Sequence, residues 1–148
     1  MAASRVIDEL KEAGYKLTPQ RREIVRILGQ ATKPITAQEV CTQVQAVFPD
    51  TSLDTVYRNL RLLVDLDLVT QIRSGTCHSD CFELVRQHHY HLVCLRCGSI
   101  TCLPGCPVAN WQPTQEELNG FQVIKHSFEL HGYCSKCQNQ MRAHRGQN

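Results

Sequence analysis

The sequence predicts an α+β protein, in which a winged helix-turn-helix domain precedes a small α/β domain built around a four-cysteine metal site. The first half of the chain carries four helical patterns, and two strand-like runs joined by a polar turn follow them. The second half places two Cys-x-x-Cys pairs among further strand-like runs. We therefore predict an N-terminal domain over residues 1–85, a hinge over 86–88 and a C-terminal domain over 89–148.

Each helical pattern of the first half begins at a residue able to cap a helix. Ser4 and Ser52 precede apolar stripes, Thr18 is followed by a proline, and Thr36 with Glu39 forms a capping box. The residues expected on the buried faces of the third and fourth helices are Val40, Val44, Val47, Leu53, Val56, Leu60 and Leu63 or Val64.

The strand predictions rest on short apolar or alternating runs. The wing hairpin is expected at 68–72 and 81–85, and further strands are expected at 89–94, 99–103 and 121–130. A capping box at Thr114 predicts a short helix ending at Gly120, and the polar tail 143–148 is expected to fray.

Composition limits the classes of function. The net charge of +2 does not identify a nucleic-acid-binding protein, but most of the basic residues lie in the first half. There is no apolar run near the roughly 18 residues of a membrane span, and the N-terminus does not resemble a signal peptide. We therefore expect a cytoplasmic protein without a membrane partner. There is also no nucleophile–base set, phosphate loop or catalytic carboxylate pair, so neither enzymatic activity nor a small organic substrate is expected.

The most specific motif is the set of four cysteines Cys94, Cys97, Cys134 and Cys137, out of nine in the chain. In a reducing compartment, paired cysteines favour metal binding or redox chemistry over structural disulfides. Two Cys-x-x-Cys pairs can supply four thiolates to one tetrahedral ion, and a site filled by protein ligands is structural and not catalytic. This motif predicts a structural Zn(II) ion.

The fourth helical pattern, from Ser52 onwards, is the candidate recognition helix. Its apolar residues repeat every three or four positions, which leaves a polar face for solvent or DNA. Side chains of this kind suit phosphate oxygens and base edges. The residues expected on or beside that face are Thr55, Tyr57, Arg58, Asn59 and Arg61. An ordinary solvated helix face is the alternative.

A second ligand set comprises Glu83, His89 and His91. Two histidines separated by one residue on a strand point to the same side, so both imidazoles can bind one ion. Glu83 lies near the end of the predicted wing, beside the hinge. A metal held by these three residues would tie the two domains together and act as a switch. The alternative is a solvent-facing histidine cluster.

Three segments resemble the ferric uptake regulator family: GYKLTPQR at 14–21, TVYRNL at 55–60 and HHYHLVCLRCG at 88–98. The resemblance extends over residues 3–138, nearly the whole chain. It implies a dimer whose winged helices bind a palindromic operator in double-stranded DNA and whose C-terminal domain dimerises. It also implies that Tyr57 and Arg58 contact DNA, and that Lys16 lies near the minor groove.

The resemblance adds ligand positions to the second metal site. The family's fourth regulatory ligand is usually a carboxylate, and Cys102 stands at that position here. A thiolate makes the site softer and favours Zn(II) over Fe(II) or Mn(II). Glu83 argues against Zn(II), because zinc-sensing members of the family often carry cysteine at that position. A third family site would use His88 and His126, although Tyr90 replaces a common ligand.

We interpret the chain as a metal-dependent repressor of metal-uptake genes, most similar to the zinc uptake regulator branch of the family. The segment beginning at Cys106 also resembles one in zinc-sensing members. A regulator responding to Fe(II), Mn(II) or peroxide is one alternative, and a thiol–disulfide redox protein is another. Cys77, His78 and Cys81 on the wing are candidates for additional metal ligands or redox-sensitive thiols.

Overall fold

A computed structural model describes residues 2–73, 79–85, 89–105, 110–124 and 126–145. The chain divides into two compact units, an N-terminal unit of residues 1–86 and a C-terminal unit of residues 87–148. The predicted hinge at 86–88 lies outside the described residues. Every helix in the described ranges is too short or too polar to cross a membrane.

The described residues of the N-terminal unit form four helices and a three-stranded antiparallel sheet, the arrangement expected of a winged helix. In chain order the elements are α1 (Ala2–Glu12), α2 (Pro19–Gln30), β1 (Ile35–Thr36), α3 (Ala37–Gln45), α4 (Leu53–Asp65), β2 (Val69–Ile72) and β3 (Cys81–Leu84). The strand order is β1-β3-β2, so the wing strands pair with each other and β3 also pairs with β1.

Local capping chemistry defines four of the helix ends described in this unit. The side chains of Thr18, Thr36 and Ser52 accept hydrogen bonds from backbone N–H groups at the starts of α2, α3 and α4, as predicted. The helix α1 ends at Glu12, and Gly14 follows it with a φ of +78°, a conformation that glycine adopts without steric cost. These ends are therefore encoded by residues within one turn of them.

The apolar stripes of the four helices meet in one core with the inner faces of the sheet. Its fully buried side chains come from every helix, for example Leu10, Leu28, Val40 and Leu60. Burying an aliphatic side chain of this size contributes about 1.5–3 kcal/mol before the entropic cost of ordering it. This core gives α4 a rigid platform.

Two sequence predictions in this unit are wrong in detail, and one strand was missed. The helix α1 begins at Ala2, so Ser4 lies inside the helix and does not cap it. Val47 lies in the turn after α3 and is 54% exposed, because the helix ends at Gln45 and the apolar periodicity no longer applies. The strand β1 was not predicted, because two residues are too few to show alternation.

The C-terminal unit comprises β4 (His89–Cys94), β5 (Ile100–Pro104), α5 (Gln115–Leu118), β6 (Glu129–Gly132) and α6 (Ser135–Arg145). Its sheet has the order β5-β4-β6, in which β5 runs antiparallel and β6 parallel to β4. The predicted capping box at Thr114 starts α5, and Asn119 ends it in a left-handed conformation.

Two predictions for the C-terminal unit are wrong. The expected strand at 121–130 reduces to β6, and the apolar side chains of Phe121 and Ile124 are 71% and 81% exposed. Alternation alone does not form a strand, which also needs a hydrogen-bonding partner. The end of the chain is helical to Arg145 where fraying was expected from 143. That helix lacks an apolar stripe, so its sequence gave no periodic signal.

The capping box of α3 provides a test of this local coding. Thr36→Ala removes the oxygen that accepts from the backbone N–H of Glu39, and we expect a loss of about 1 kcal/mol. In a unit of this size, that loss should lower the thermal midpoint followed by circular dichroism by about 4–8 °C. Thr42→Ala on the same helix is the control, and an equal shift there would contradict the capping explanation.

Candidate functional site

The two Cys-x-x-Cys pairs are brought together at one end of the C-terminal sheet. Cys94 is the last residue of β4, and its backbone N–H donates to the carbonyl of Ser99 across a tight turn. Gly98, with φ of +70°, closes that turn. Cys134 follows β6 and immediately precedes α6, which carries Cys137 in its first turn. Parallel pairing of β4 with β6 sets the two pairs side by side, since Cys94 is opposite Gly132.

The geometry of the four sulfurs fits a tetrahedral zinc ion. All four Sγ atoms lie within 4.8 Å of one another. Zn–S bonds of about 2.3 Å place the sulfurs of a regular tetrahedron about 3.8 Å apart. The Sγ atoms of Cys97 and Cys134 are separated by 3.8 Å. We call Cys94, Cys97, Cys134 and Cys137 the four-cysteine cluster.

The surrounding polypeptide shifts the pKa values of the cluster's thiols in different directions. The backbone N–H of Cys134 donates to the sulfur of Cys94 at 3.3 Å, and this hydrogen bond, together with hydrogen bonds from the backbone of Cys97 and Arg96, lowers the pKa of Cys94 to about 6. A hydrogen bond with the Ser99 side chain also lowers the pKa of Cys97. Burial raises the pKa of Cys137 to about 12. Because metal ligation requires thiolates, filling the cluster at neutral pH must release a proton from Cys137.

A second group of donor atoms lies on the β4–β5 strand pair. His89 and His91 are two residues apart on β4, and their ring centroids are 4.8 Å apart. Cys102 on β5 is directly opposite His91 in the antiparallel register. One side-chain donor atom from each of these residues lies within 4.8 Å of the others. We call His89, His91 and Cys102 the histidine–cysteine cluster.

The donor chemistry of this cluster fits a borderline-soft divalent ion. His91 is buried, with 5% of its surface exposed, so its imidazole is held in a constrained position. Two imidazole nitrogens and one thiolate are ligands that Zn(II) accepts in tetrahedral sites. The pairing of Cys102 with His91 was not visible in the sequence, because it depends on the register of β4 and β5.

The remaining predicted ligands lie on other segments of the chain. Glu83 belongs to the N-terminal unit, where it is half-buried on β3 opposite Thr70. Cys81 is buried at the start of the same strand, and burial raises the pKa of its thiol, which disfavours the reactive thiolate. His126 lies outside the clusters described above. The predicted residues Cys77, His78, His88 and Cys106 lie outside the described residues.

The predicted recognition face occupies the solvent side of α4. Tyr57 is 41% exposed, and Arg58 and Arg61 are exposed beside it. Arg58 forms an ion pair with Asp54 at 3.1 Å, but the two side chains are 72% and 78% exposed. Ion pairs so open to water stabilise a protein little, so Arg58 is readily available to another anion. Lys16 is exposed in the segment between α1 and α2.

One residue assigned to that face lies elsewhere. Asn59 is only 8% exposed, and its side chain bonds within the protein to Arg21 and to the backbone of Thr55. The periodicity contained this information, because Asn59 is three residues after Val56 and four before Leu63, both of which are buried. The polar character of Asn59 concealed its position on the buried side.

The comparisons with known proteins agree with these features. The sequence model of the ferric uptake regulator family matches residues 12–131. The chain belongs to this family. A peroxide-responsive repressor, PerR, of Staphylococcus aureus is 32% identical over 132 residues, which cover 89% of this chain and 88% of the relative.

Solved structures of family members share the fold. The ferric uptake regulator of Helicobacter pylori, described as having three functional metal-binding sites, superimposes with a TM-score of 0.71 at 25% identity. That match covers 93% of this chain and 91% of the other. The regulator of Vibrio cholerae is 33% identical, with a TM-score of 0.63 over 84% of this chain and 96% of the other. The chain is thus a metal-responsive transcriptional regulator of this family.

Cys134→Ser tests the four-cysteine cluster. This substitution removes one of four ligands, so we expect the purified protein to lose its tightly bound zinc and the C-terminal unit to lose its protection from proteolysis. Metal content by mass spectrometry and limited proteolysis measure the two effects. Cys41→Ala, which alters a buried thiol of the N-terminal core, is the matched control and should retain the zinc. Full zinc content in Cys134→Ser would contradict the assignment.

Proposed function

We propose that this protein is a zinc-responsive repressor that binds palindromic operator DNA as a homodimer and controls metal-uptake genes. The four-cysteine cluster would hold a structural Zn(II) ion, and the histidine–cysteine cluster would be the sensor. The observation that carries the choice of zinc is the thiol of Cys102 opposite His91. A nitrogen and sulfur ligand set is softer than one containing carboxylates, which suit iron and manganese better.

We propose that Glu83 completes the sensor from the N-terminal unit. It is only six positions from His89 in the chain, and a chain of that length spans at most about 20 Å. A carboxylate on β3 and two imidazoles on β4 would then share one ion. Ligation would restrict the orientations that the two units adopt. Because the two winged helices of a dimer would then have less freedom to lose, they would bind an operator with a smaller loss of entropy.

The proposed contact with DNA uses the exposed side of α4, with Thr55, Tyr57, Arg58 and Arg61 directed to the major groove. Arginine suits guanine edges and phosphates because its guanidinium presents a planar set of donors. Lys16, in the segment before α2, is proposed to lie near the minor groove. Two copies of the winged helix would match the symmetry of a palindrome.

Homodimerisation is supported by apolar side chains left exposed on the C-terminal unit. Leu92 and Leu130 are neighbours on one face of the sheet and are 37% and 46% exposed. Phe121, Val123 and Ile124 are more exposed still. Exposed apolar side chains of this kind are typical of an interface, and a second copy covering them would remove them from water.

A peroxide-responsive regulator is the second candidate, and similarity to the staphylococcal repressor favours it. Response to peroxide in the family uses iron held by histidines, and His89 and His91 supply the histidines. Cys102 argues for zinc, which has no redox chemistry of its own. The two candidates differ in the metal that promotes operator binding.

A thiol–disulfide redox protein fits less well. Such an activity needs an exposed thiol of low pKa, often at a helix N-terminus. Cys134 and Cys137 do lie at the start of α6, but Cys137 is buried and its pKa is raised. The thiol with a pKa of about 6, Cys94, is only 4% exposed. The convergence of all four sulfurs suits a metal better.

Operator affinity measured against buffered metal tests the sensor. We expect Zn(II) to promote DNA binding, followed by fluorescence anisotropy, at a lower free concentration than Fe(II) or Mn(II). Loss of even a hydrogen-bond partner of a metal ligand costs about 10–100-fold in metal affinity. We therefore expect Cys102→Ser to raise the required free zinc by at least about 10-fold, while the structural zinc remains bound.

Cys102→Asp is the matched variant, because it restores the carboxylate usual in the family. It should shift the preference towards Mn(II) and Fe(II). The zinc assignment fails if wild-type protein binds its operator only with Fe(II) or Mn(II), or if both Cys102 variants respond to zinc like the wild type.

The recognition helix is tested by Arg58→Ala. Loss of a specific arginine contact should weaken operator binding about 10-fold or more and relax discrimination between operator variants. Arg5→Ala is the control, since Arg5 is an exposed arginine of α1 paired with Glu9. An equal loss of affinity in the two variants, measured at one salt concentration, would show a non-specific effect of charge and contradict base recognition by Arg58.

A further inference from the structure

A chain of hydrogen bonds joins the recognition helix to the segment that carries Lys16. The Nε of Arg21 donates to Oδ1 of Asn59 at 2.9 Å. Another guanidinium nitrogen of Arg21, Nη1, donates to the backbone carbonyl of Lys16. The amide nitrogen of Asn59 donates to the backbone carbonyl of Thr55 at 2.8 Å. We call Arg21 and Asn59 the clasp.

The orientation of each group in the clasp is determined by its chemistry. A guanidinium only donates hydrogen bonds, so the atom of Asn59 facing Arg21 must be the amide oxygen. The amide nitrogen is then directed to Thr55, which accepts through its carbonyl. Asn59 is 8% exposed, so loss of either bond would leave a nearly buried polar atom unpaired. The clasp therefore has one satisfied arrangement.

The segment containing Lys16 is fixed on both sides of that residue. The backbone N–H of Tyr15 donates to the carbonyl of Leu10, which closes the end of α1. The Thr18 side chain accepts from the backbone N–H of Arg21 at the start of α2. Between these points, the bond from Arg21 holds the Lys16 carbonyl while the Lys16 side chain remains exposed.

We propose that Arg21 and Asn59 are positioning residues for DNA binding, which set the distance and direction of Lys16 relative to the exposed face of α4. The inference rests on the proposed binding of DNA by α4 and Lys16. The spacing between the two grooves of a duplex is fixed. Lys16 and the exposed face of α4 can therefore both contribute to affinity only if the protein holds them at the matching spacing. Neither Arg21 nor Asn59 needs to touch DNA in this role.

The planar fork of arginine is required because one side chain reaches two acceptors at once. A lysine at position 21 keeps the charge but presents a single point from which its donors diverge, so it cannot reproduce the fork. Arg21→Lys therefore separates the geometry of the clasp from its charge. Arg22→Lys, at an adjacent exposed arginine, is the matched control and preserves any phosphate contact of its own.

The decisive experiment is a double-mutant cycle on operator binding by the full-length, zinc-loaded protein. We expect Lys16→Ala and Arg21→Lys each to weaken binding about 10-fold, and Arg22→Lys to leave it unchanged. If the clasp acts through Lys16, the double variant Lys16→Ala/Arg21→Lys should also be weakened only about 10-fold in total. Independent effects would multiply to about 100-fold, and that result would overturn the proposal.

A second readout separates positioning from mere stabilisation. Hydroxyl-radical footprinting of the Arg21→Lys complex should lose protection at the minor-groove positions lost in Lys16→Ala, while the protection of guanine N7 from methylation in the major groove persists. The same loss is expected for Asn59→Ala. Unchanged minor-groove protection in both clasp variants would contradict the inference. If wild-type protein fails to bind the operator with zinc, the proposed function fails instead, and the two failures are thereby distinguished.

Discussion

The convergence of four sulfurs at the end of β4 is the constraint on which the C-terminal unit depends. Among its described residues, the buried apolar side chains are Val93, Cys94 and Cys137, and two of these belong to the four-cysteine cluster. Such a small core cannot offset the entropy lost when about sixty residues become ordered. The N-terminal unit, with its continuous core from α1 to β3, does not share this weakness. This unit therefore needs a further source of stability, which a metal ion bound by the four thiolates would supply.

The geometry of the histidine–cysteine cluster depends on the same strand, β4, that ends at the four-cysteine cluster. His89 and His91 lie on β4, the strand that ends at Cys94, and Cys102 is placed by the antiparallel pairing of β5 with it. A shift of one residue in that register would move Cys102 to the opposite face of the sheet. The ligands of the proposed sensor are thus held by backbone pairing, and β4 links them to the structural cluster.

The sequence predicted what local chemistry determines. Thr18, Thr36, Ser52 and Thr114 are each the capping residue of the helix expected after them, because caps act within one turn. The cysteine spacing likewise indicated a single cluster. What the sequence could not provide were features that depend on distant partners. The expected strand at 121–130 found a partner only in its last residues, and the pairing of His91 with Cys102 required a register.

Two further differences have separate physical origins. The helix α6 has good helix-forming residues but buries little besides Cys137, so its sequence lacks the periodic signal on which helix prediction relies. For Asn59 the periodic signal was present, because its spacing from the apolar residues predicts a buried position. Its polar side chain nevertheless led to the wrong prediction of an exposed one. A polar residue on the buried side of an amphipathic helix indicates an internal hydrogen bond, here with Arg21.

The sharing of β4 by both clusters would impose an order on metal loading. If the strand is held in place only when the four cysteines are ligated, the histidine pair does not exist as a chelating site before that event. Each newly made chain would then take one ion for assembly before it could report on a second. Binding of the first ion would depend on the metal available when the chain was synthesised. Binding of the second ion would depend on the metal concentration in the cell at a given moment. Each chain would therefore respond to the metal concentration in the cell only after it had removed one ion from that same supply.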